Sequence, residues 1–382
     1  MSYELTKEVI DFLDSELEAT KALLKEITLI PAPSHFEDER AEFVKKWLEN
    51  VGAAGVYIDE AKNVIYKIDG EDTTKAAVFM AHTDTVFPFD TPLVWKEDEK
   101  NYYCPSIGDD TCSLAVLLTV IKYVVKSGIK PKITTLFVAN SCEEGLGNLK
   151  GSKQIVKDFG NILTEFYTFD GKFQAVNCKC VGSHRYKIKC TSEGGHSFGA
   201  FGNTNAIAEL AKLVTDLYTV EVPKKEGTKT TYNVGIIEGG TSVNTIAQFA
   251  EMLYEYRSDD RECLAEMKSI FEEKLENIKR TSKATFDVEL VGDRPCDGVV
   301  DQAKLREMID HAKAVTEKYT GIIPLEKSGS TDCNSASSAG IPSVCVGVYL
   351  GGGAHTREEW IQKDSIAPGL KIAAALILDK FF

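Results

Sequence analysis

The chain has 382 residues, 43% hydrophobic and 27% charged, with 29 Gly and 11 Pro, a balance that excludes disordered, collagenous and low-complexity classes. Lys and Arg number 44 against 58 Asp and Glu, a formal net charge of −14, so neither a nucleic-acid backbone nor an anionic membrane surface is an expected partner. The length exceeds what one hydrophobic core usually supports, which predicts two domains.

In chain order, the N-terminal MSYELTKEVIDFL mixes both charge signs and lacks an apolar h-region, so it does not read as a signal peptide. Apolar residues at helical spacing predict helices over Leu17 to Ile30 and Glu37 to Val51. Short continuous apolar runs at Ala76 to Ala81, Ile133 to Ala139, Phe166 to Phe169 and Pro342 to Val348 read as buried strands. The apolar stretch Ser113 to Val125 between the first two is a helix ended by Gly128. Fully apolar strands alternating with helices predict a parallel sheet covered on both faces. The middle reads differently. Alternation at Arg185 to Thr191, a helix over Asn205 to Val220, strands at Thr231 to Ile237 and Gln248 to Tyr256, a helix carrying Leu264, Met267, Phe271 and Leu275, and a strand at Thr285 to Leu290 give the order β-α-β-β-α-β, the split βαβ unit. The expected organisation is an α/β catalytic domain formed by residues 1–181 and 292–382, interrupted by an inserted α+β ferredoxin-like domain over 182–291. The most apolar late stretch, Ile372 to Leu378, is too short to cross a bilayer. With no export signal, the ten cysteines read as reduced thiols and the expected location is cytoplasmic. Cys178 and Cys180 form a C-x-C pair without a second pair at zinc-finger spacing.

The chemistry gathers at strand ends. His82 closes the first strand in FMAHTDT, and Asp84, two residues on, shares its face and can fix the imidazole's tautomer. Asp109 and Asp110 open the apolar helix, where they read either as helix caps or as ligands. Glu143 and Glu144 follow the second strand, and as adjacent carboxylates they repel unless a cation or shared proton relieves them. Asp170 follows the third strand, and His355 follows the fourth through a glycine-rich loop. In an open parallel sheet the C-terminal strand edge is where ligands bind. Imidazoles and carboxylates converging there imply a divalent metal site of N/O ligands, suited to Zn²⁺ with Mn²⁺ or Co²⁺ as substitutes, and the number of carboxylates favours two ions sharing one.

HTD at 82–84, GDD at 108–110, CEEG at 142–145, FDG at 169–171 and AHTREEW at 354–360 resemble the motif series of the dinuclear-zinc exopeptidases and deacylases, a family that includes peptidase T, carboxypeptidase G, aminoacylase and succinyl-diaminopimelate desuccinylase. The resemblance spans nearly the whole chain, and in that family the inserted domain is the lid and dimerisation domain. It implies two Zn²⁺ per subunit. His82 and Asp170 would hold the first and Glu144 and His355 the second, with Asp109 bridging before a cis peptide to Asp110. Glu143 would be the general base and Asp84 the partner of His82. In the insert, GGHSFGAFGN resembles the family's lid histidine, making His196 a catalytic candidate that reaches the partner subunit's site; it also reads as a turn histidine between glycines. Asn244 in TSVNTIA and Arg257 in YEYRSDD resemble substrate-binding positions, Arg257 reading equally as a surface ion pair. GSTDCN, Gly329 to Asn334, resembles a pocket loop. Thr111 departs from the lysine many members carry. Asp170, where deacylases and carboxypeptidases carry glutamate, follows the aminopeptidase and dipeptidase pattern. The implied function is hydrolysis of short peptides from the N-terminus by a metal-bridged water, in a homodimer joined through 182–291. The alternatives are an N-acyl amino acid deacylase or carboxypeptidase, and a peptide-binding protein without catalysis, against which Glu143 stands.

Overall fold

The computed structural model describes residues 4–382. The chain forms two compact units: one runs as far as Cys180 and resumes at Gly298–Phe382, and the other is Val181–Asp297. The insert therefore extends past 291, because its last strand continues to Arg294.

The first unit is built on an eight-stranded sheet of Tyr57–Ile58 (β1), Val64–Ile68 (β2), Asp72–His82 (β3), Ile133–Asn140 (β4), Leu163–Phe169 (β5), Ala175–Cys180 (β6), Leu325–Gly329 (β7) and Ser343–Val346 (β8). Their spatial order is β1-β2-β4-β3-β5-β8-β6-β7. The central four, β4, β3, β5 and β8, run parallel, while β2 and β6 join them antiparallel. The sheet is the mostly parallel α/β layer expected. Its central strands are apolar on both sides because both sides are covered. Ala77, Phe79 and Ala81 of β3 enter one core, and Ala76, Val78 and Met80 enter the other. On the first face, Phe79 stacks on Tyr167 at 5.0 Å between ring centroids, with Phe137 and Phe169 beside it. Helices Ser113–Ser127 and Ile366–Leu378 cover that face with continuous apolar surface. Ser113–Ser127 ends where Gly128 adopts a left-handed conformation at φ 63°. Ile366–Leu378 contains the stretch judged too short for a bilayer and is a core helix; no helix of the described residues is long and apolar enough to cross a membrane.

The second unit is a four-stranded antiparallel sheet with two helices. Strands Gly182–Thr191, Thr230–Gly239, Phe249–Ser258 and Thr285–Arg294 lie in the spatial order second, third, first, fourth. Helices Ala206–Leu217 and Arg261–Thr281 are capped by Asn205 and Asp260, whose side chains accept main-chain N–H bonds in the first turn. Leu210, Leu213, Met267 and Phe271 from these helices meet Ile188, Met252, Tyr254 and Tyr256 from the sheet in one core. Thr230–Gly239 is an edge strand, and its Ile236 and Ile237 are exposed.

Candidate metal centre

Each strand of the parallel core delivers its polar residue where the apolar run stops. His82 is the last residue of β3, and Asp170 directly follows β5. Glu143 and Glu144 come three and four residues after β4, and His355 lies in the loop beyond β8. Asp109 comes from Ile107–Cys112, a wide irregular turn ahead of Ser113–Ser127 in which the Asp109–Asp110 peptide is cis. Neither aspartate caps that helix with its side chain. Asp110 instead accepts the main-chain N–H of His82 at 3.0 Å.

These side chains converge as three groups of possible ligand atoms, each group within 4.8 Å: His82, Asp109 and Asp170; Asp109, Glu144 and His355; and His82, Glu143 and Glu144. Asp109 stands in the middle. One carboxylate oxygen is 3.1 Å from His82 Nε2, and the other is 3.1 Å from His355 Nε2, which also lies 3.0 Å from Glu144. His82 is buried, whereas the His355 side chain is 55% exposed.

The electrostatics state what the cluster lacks. Burial and the neighbouring charge of Asp109 push the Asp170 carboxyl far above the ordinary range. Burial drives Glu144 to about 7 despite its bond to His355. Burial opposes charge on Asp109 too, but bonds from His355 and His82 hold it low. Hydrogen bonds to Asp109 and Glu144 raise His355 to about 11. Asp170 and Glu144 move toward neutrality and both imidazoles toward the cation because the cluster has an excess of negative donors. Divalent cations would supply that missing positive charge, so the donor set fits a pair of metal ions.

Asp84 does more than its spacing predicted. The His82 Nδ1 atom lies 3.1 Å from the main-chain oxygen of Asp84 and 3.4 Å from its carboxylate. That carboxylate accepts the main-chain N–H groups of Glu143 and Glu144 at 2.8 and 2.9 Å and the Ser34 hydroxyl at 2.6 Å. It therefore ties the β3 loop to the paired-glutamate turn. Arg40, fully buried, donates to the oxygens of Ile30 and Thr83 and reaches the Thr111 hydroxyl at 3.5 Å. No cysteine belongs to the three groups, and all ten cysteines are free thiols.

Two buried carboxylates escaped the reading of the sequence. Asp332, in the Gly329–Asn334 loop, accepts the Asn140 amide at 2.6 Å, and burial with the charge of Glu143 raises it to about 7. Glu359 accepts three main-chain N–H groups around Asp109. The glutamate in AHTREEW was the only available signal for the second.

The remaining candidates lie in the second unit. His196 is exposed and pairs in a short antiparallel ribbon with Thr245, and Ser197 donates to the Asn244 main-chain oxygen at 2.9 Å. His196 and Asn244 are thus neighbours. Arg257 is not with them: it sits opposite Ser183, eight residues along its strand from Phe249, roughly 26 Å of extended chain.

Two imidazoles and several carboxylates sharing one aspartate at the C-terminal edge of a parallel sheet define the donor set of a metal-dependent hydrolase. The chain belongs to Peptidase family M20/M25/M40, whose profile matches residues 78–379. Among solved structures it is similar to aminopeptidase PepT from Bacillus cereus, with a TM-score of 0.72 and 22% identity over 95% of this chain and 98% of that one. It is similar also to a tripeptidase from Staphylococcus aureus, with a TM-score of 0.72 and 21% identity over 94% and 97% of the two chains. The YXEP protein of Bacillus subtilis, a dinuclear metal-binding peptidase of the M20 family, matches with a TM-score of 0.64 and 15% identity over 97% of this chain and 100% of that one. At these identities the likeness is one of fold.

Proposed function

We propose that the protein is a dinuclear metallo-aminopeptidase that removes residues from the N-terminus of di- or tripeptides. The observation that carries the reading is the sharing of Asp109 between the His82–Asp170 pair and the Glu144–His355 pair, with Glu143 beside them. His82, Asp109 and Asp170 would hold one ion and Asp109, Glu144 and His355 the other, zinc being the metal that this set suits best. Bound there, the ions would polarise the peptide carbonyl and acidify water toward a pKa of ~7. Glu143 takes the proton of the attacking water and hands it to the leaving amine. Asp84 holds the Glu143–Glu144 turn through its two main-chain bonds and steadies His82, leaving Nε2 directed at Asp109. The aminopeptidase branch is favoured by an aspartate at 170 and by the names of two neighbours in fold, PepT and the tripeptidase.

We further propose a homodimer through the second unit, in which His196 donates a hydrogen bond to the developing oxyanion in the partner's site. The exposure of His196 and the unpaired edge strand Thr230–Gly239 support this. A protein that sediments as a monomer overturns it. Asn244, beside His196, is assigned to the substrate with it, and Arg257, too far along its strand to reach the same short peptide from that subunit, would meet it from the other one.

The test is a panel of free di- and tripeptides, the same peptides N-acetylated, and N-acyl amino acids, offered to zinc- and cobalt-loaded protein. Turnover of free peptides that acetylation abolishes is the expected result. Faster cleavage of N-acyl amino acids assigns the site to a deacylase instead.

A further inference from the structure

Asp109 occupies a turn held only in part from within, by the Ser106 hydroxyl donating to the Asp109 main-chain oxygen at 2.6 Å. Asp109 and Asp110 have non-helical dihedrals inside Ile107–Cys112, and Ser106, just before it, is left-handed at φ 63°. The remaining support comes from a segment some 250 residues later. One oxygen of the Glu359 carboxylate accepts the N–H groups of Gly108 and Asp109 at 3.0 and 2.8 Å, and the other accepts that of Ser106 at 2.8 Å. Three main-chain N–H donors thus converge on one buried side chain, which fixes the turn at three points. Gly108 fits it tightly: a Cβ there would lie 2.8 Å from that Glu359 oxygen and 2.8 Å from the Tyr349 ring and hydroxyl.

Glu359 also belongs to the loop that carries His355, four residues earlier. Beyond it, Trp360–Gln362 pairs with Asn101–Tyr103, and the Glu359 main-chain oxygen accepts the Cys104 N–H at 3.1 Å. The loop therefore meets Asp109 twice, through Glu359 on its main chain and through His355 on its side chain. The ligand candidate His355 is half-exposed, while Glu359 is only 2% exposed. A ligand on a surface loop keeps its geometry only if something nearby is fixed.

We infer that Glu359 is a positioning residue that clamps the Asp109 turn to the His355 loop, so that the two ligands from distant parts of the chain are presented to metal as one unit. The inference rests on the two-ion reading of the site. It assigns Glu359 no contact with metal or substrate.

Glu359→Gln keeps the size of the side chain but offers one acceptor oxygen and turns an NH₂ group toward an N–H. The experiment follows Zn²⁺ and Co²⁺ uptake by the full-length protein in competition with a chromophoric chelator, together with the visible spectrum of bound Co²⁺. The second equivalent is expected to bind about 10–100-fold more weakly than in the wild type, with an altered Co²⁺ spectrum. Gly108→Ala, which displaces the same side chain while leaving its chemistry intact, should act in the same direction and carries the test if Glu359→Gln does not fold. Glu165→Gln, another buried carboxylate remote from the cluster, should lose stability and bind both equivalents as the wild type does. Uptake of both equivalents by Glu359→Gln with wild-type affinity and spectrum overturns the inference, whatever its stability. Wild-type protein that takes up fewer than two equivalents overturns the two-ion reading and this inference with it.

Discussion

Strand β5 carries one carboxylate near each end, the first buried and the second half-buried, and the two behave in opposite ways. Glu165, near its start, is ion-paired with Lys304 at 3.0 Å and Lys380 at 2.6 Å and receives the Tyr167 hydroxyl. Burial opposes its charge, but the two lysines outweigh burial and bring the carboxyl below its ordinary range. Asp170, just past the end, is half-buried near Asp109, Glu143 and Glu144, and although His82 opposes them its carboxyl is forced far upward. Burial alone does not distinguish the two. The supply of positive charge does. One edge of the sheet is a finished structural staple, and the other is a set of donors whose countercharge must come from outside the chain.

The contrast can be broken in three ways. The largest effect falls on turnover. Glu143→Gln should keep its metal, since the other five side chains supply the ligand set, yet lose about 10²–10⁴-fold in kcat. Loss of metal on that substitution, with metal retained in Glu144→Ala, would show that the roles of the two glutamates are reversed. The next largest effect is on folding. Glu165→Gln leaves Lys304 to Glu307 and Lys380 to Asp379 and should cost about 2 kcal/mol at pH 7 in chemical denaturation. Because the folded-state carboxyl is depressed, its contribution is present above the unfolded value and is lost as pH falls through the folded one, so the gap between wild type and variant should close below about pH 4. A gap independent of pH would mean that packing, not charge, is at work. The smallest effect has the opposite sign. In metal-free protein at pH 7, Asp170→Asn should gain about 1 kcal/mol, because the raised wild-type carboxyl must take up a proton on folding and the amide need not. That gain should shrink as pH falls through the unfolded-state value of about 4, where the unfolded carboxyl is protonated too, and Zn²⁺ should stabilise the wild type more than the variant. Equal zinc stabilisation of both would remove Asp170 from the ligand set.

The sheet and the ligand candidates were legible because both depend on local pattern. A fully apolar run marks a strand covered on both faces, and the first polar residue after it marks the functional edge, as at His82, Asp170 and His355. Elements too short to show a period, such as β1 with two residues, left no trace. The Asp109–Asp110 pair read equally well as caps, because a carboxylate before a helix has the same appearance in either role. Long-range partnerships were invisible. Glu165 with Lys380, and Glu359 with the Asp109 turn, join residues that no spacing rule connects, and in the second case the acceptor's partners are main-chain N–H groups, which every residue but proline has. Asp84 was half legible: its placement beside His82 follows from strand geometry, whereas its hold on Glu143 and Glu144 requires the fold.

The position of β8 has a consequence for how the protein is made. It lies between β5 and β6 in space, yet follows them in the chain only after the whole of Val181–Asp297. As the polypeptide leaves the ribosome, the insert is complete while the principal sheet still has a gap through its middle. His82, Asp109, Glu144 and Asp170 have by then emerged, and His355 has not. A nascent chain stopped at residue 340 would expose the flanks of β5 and β6 and offer an incomplete ligand set. On the two-ion reading, the ligand set is complete only when translation has passed the last strand and its loop.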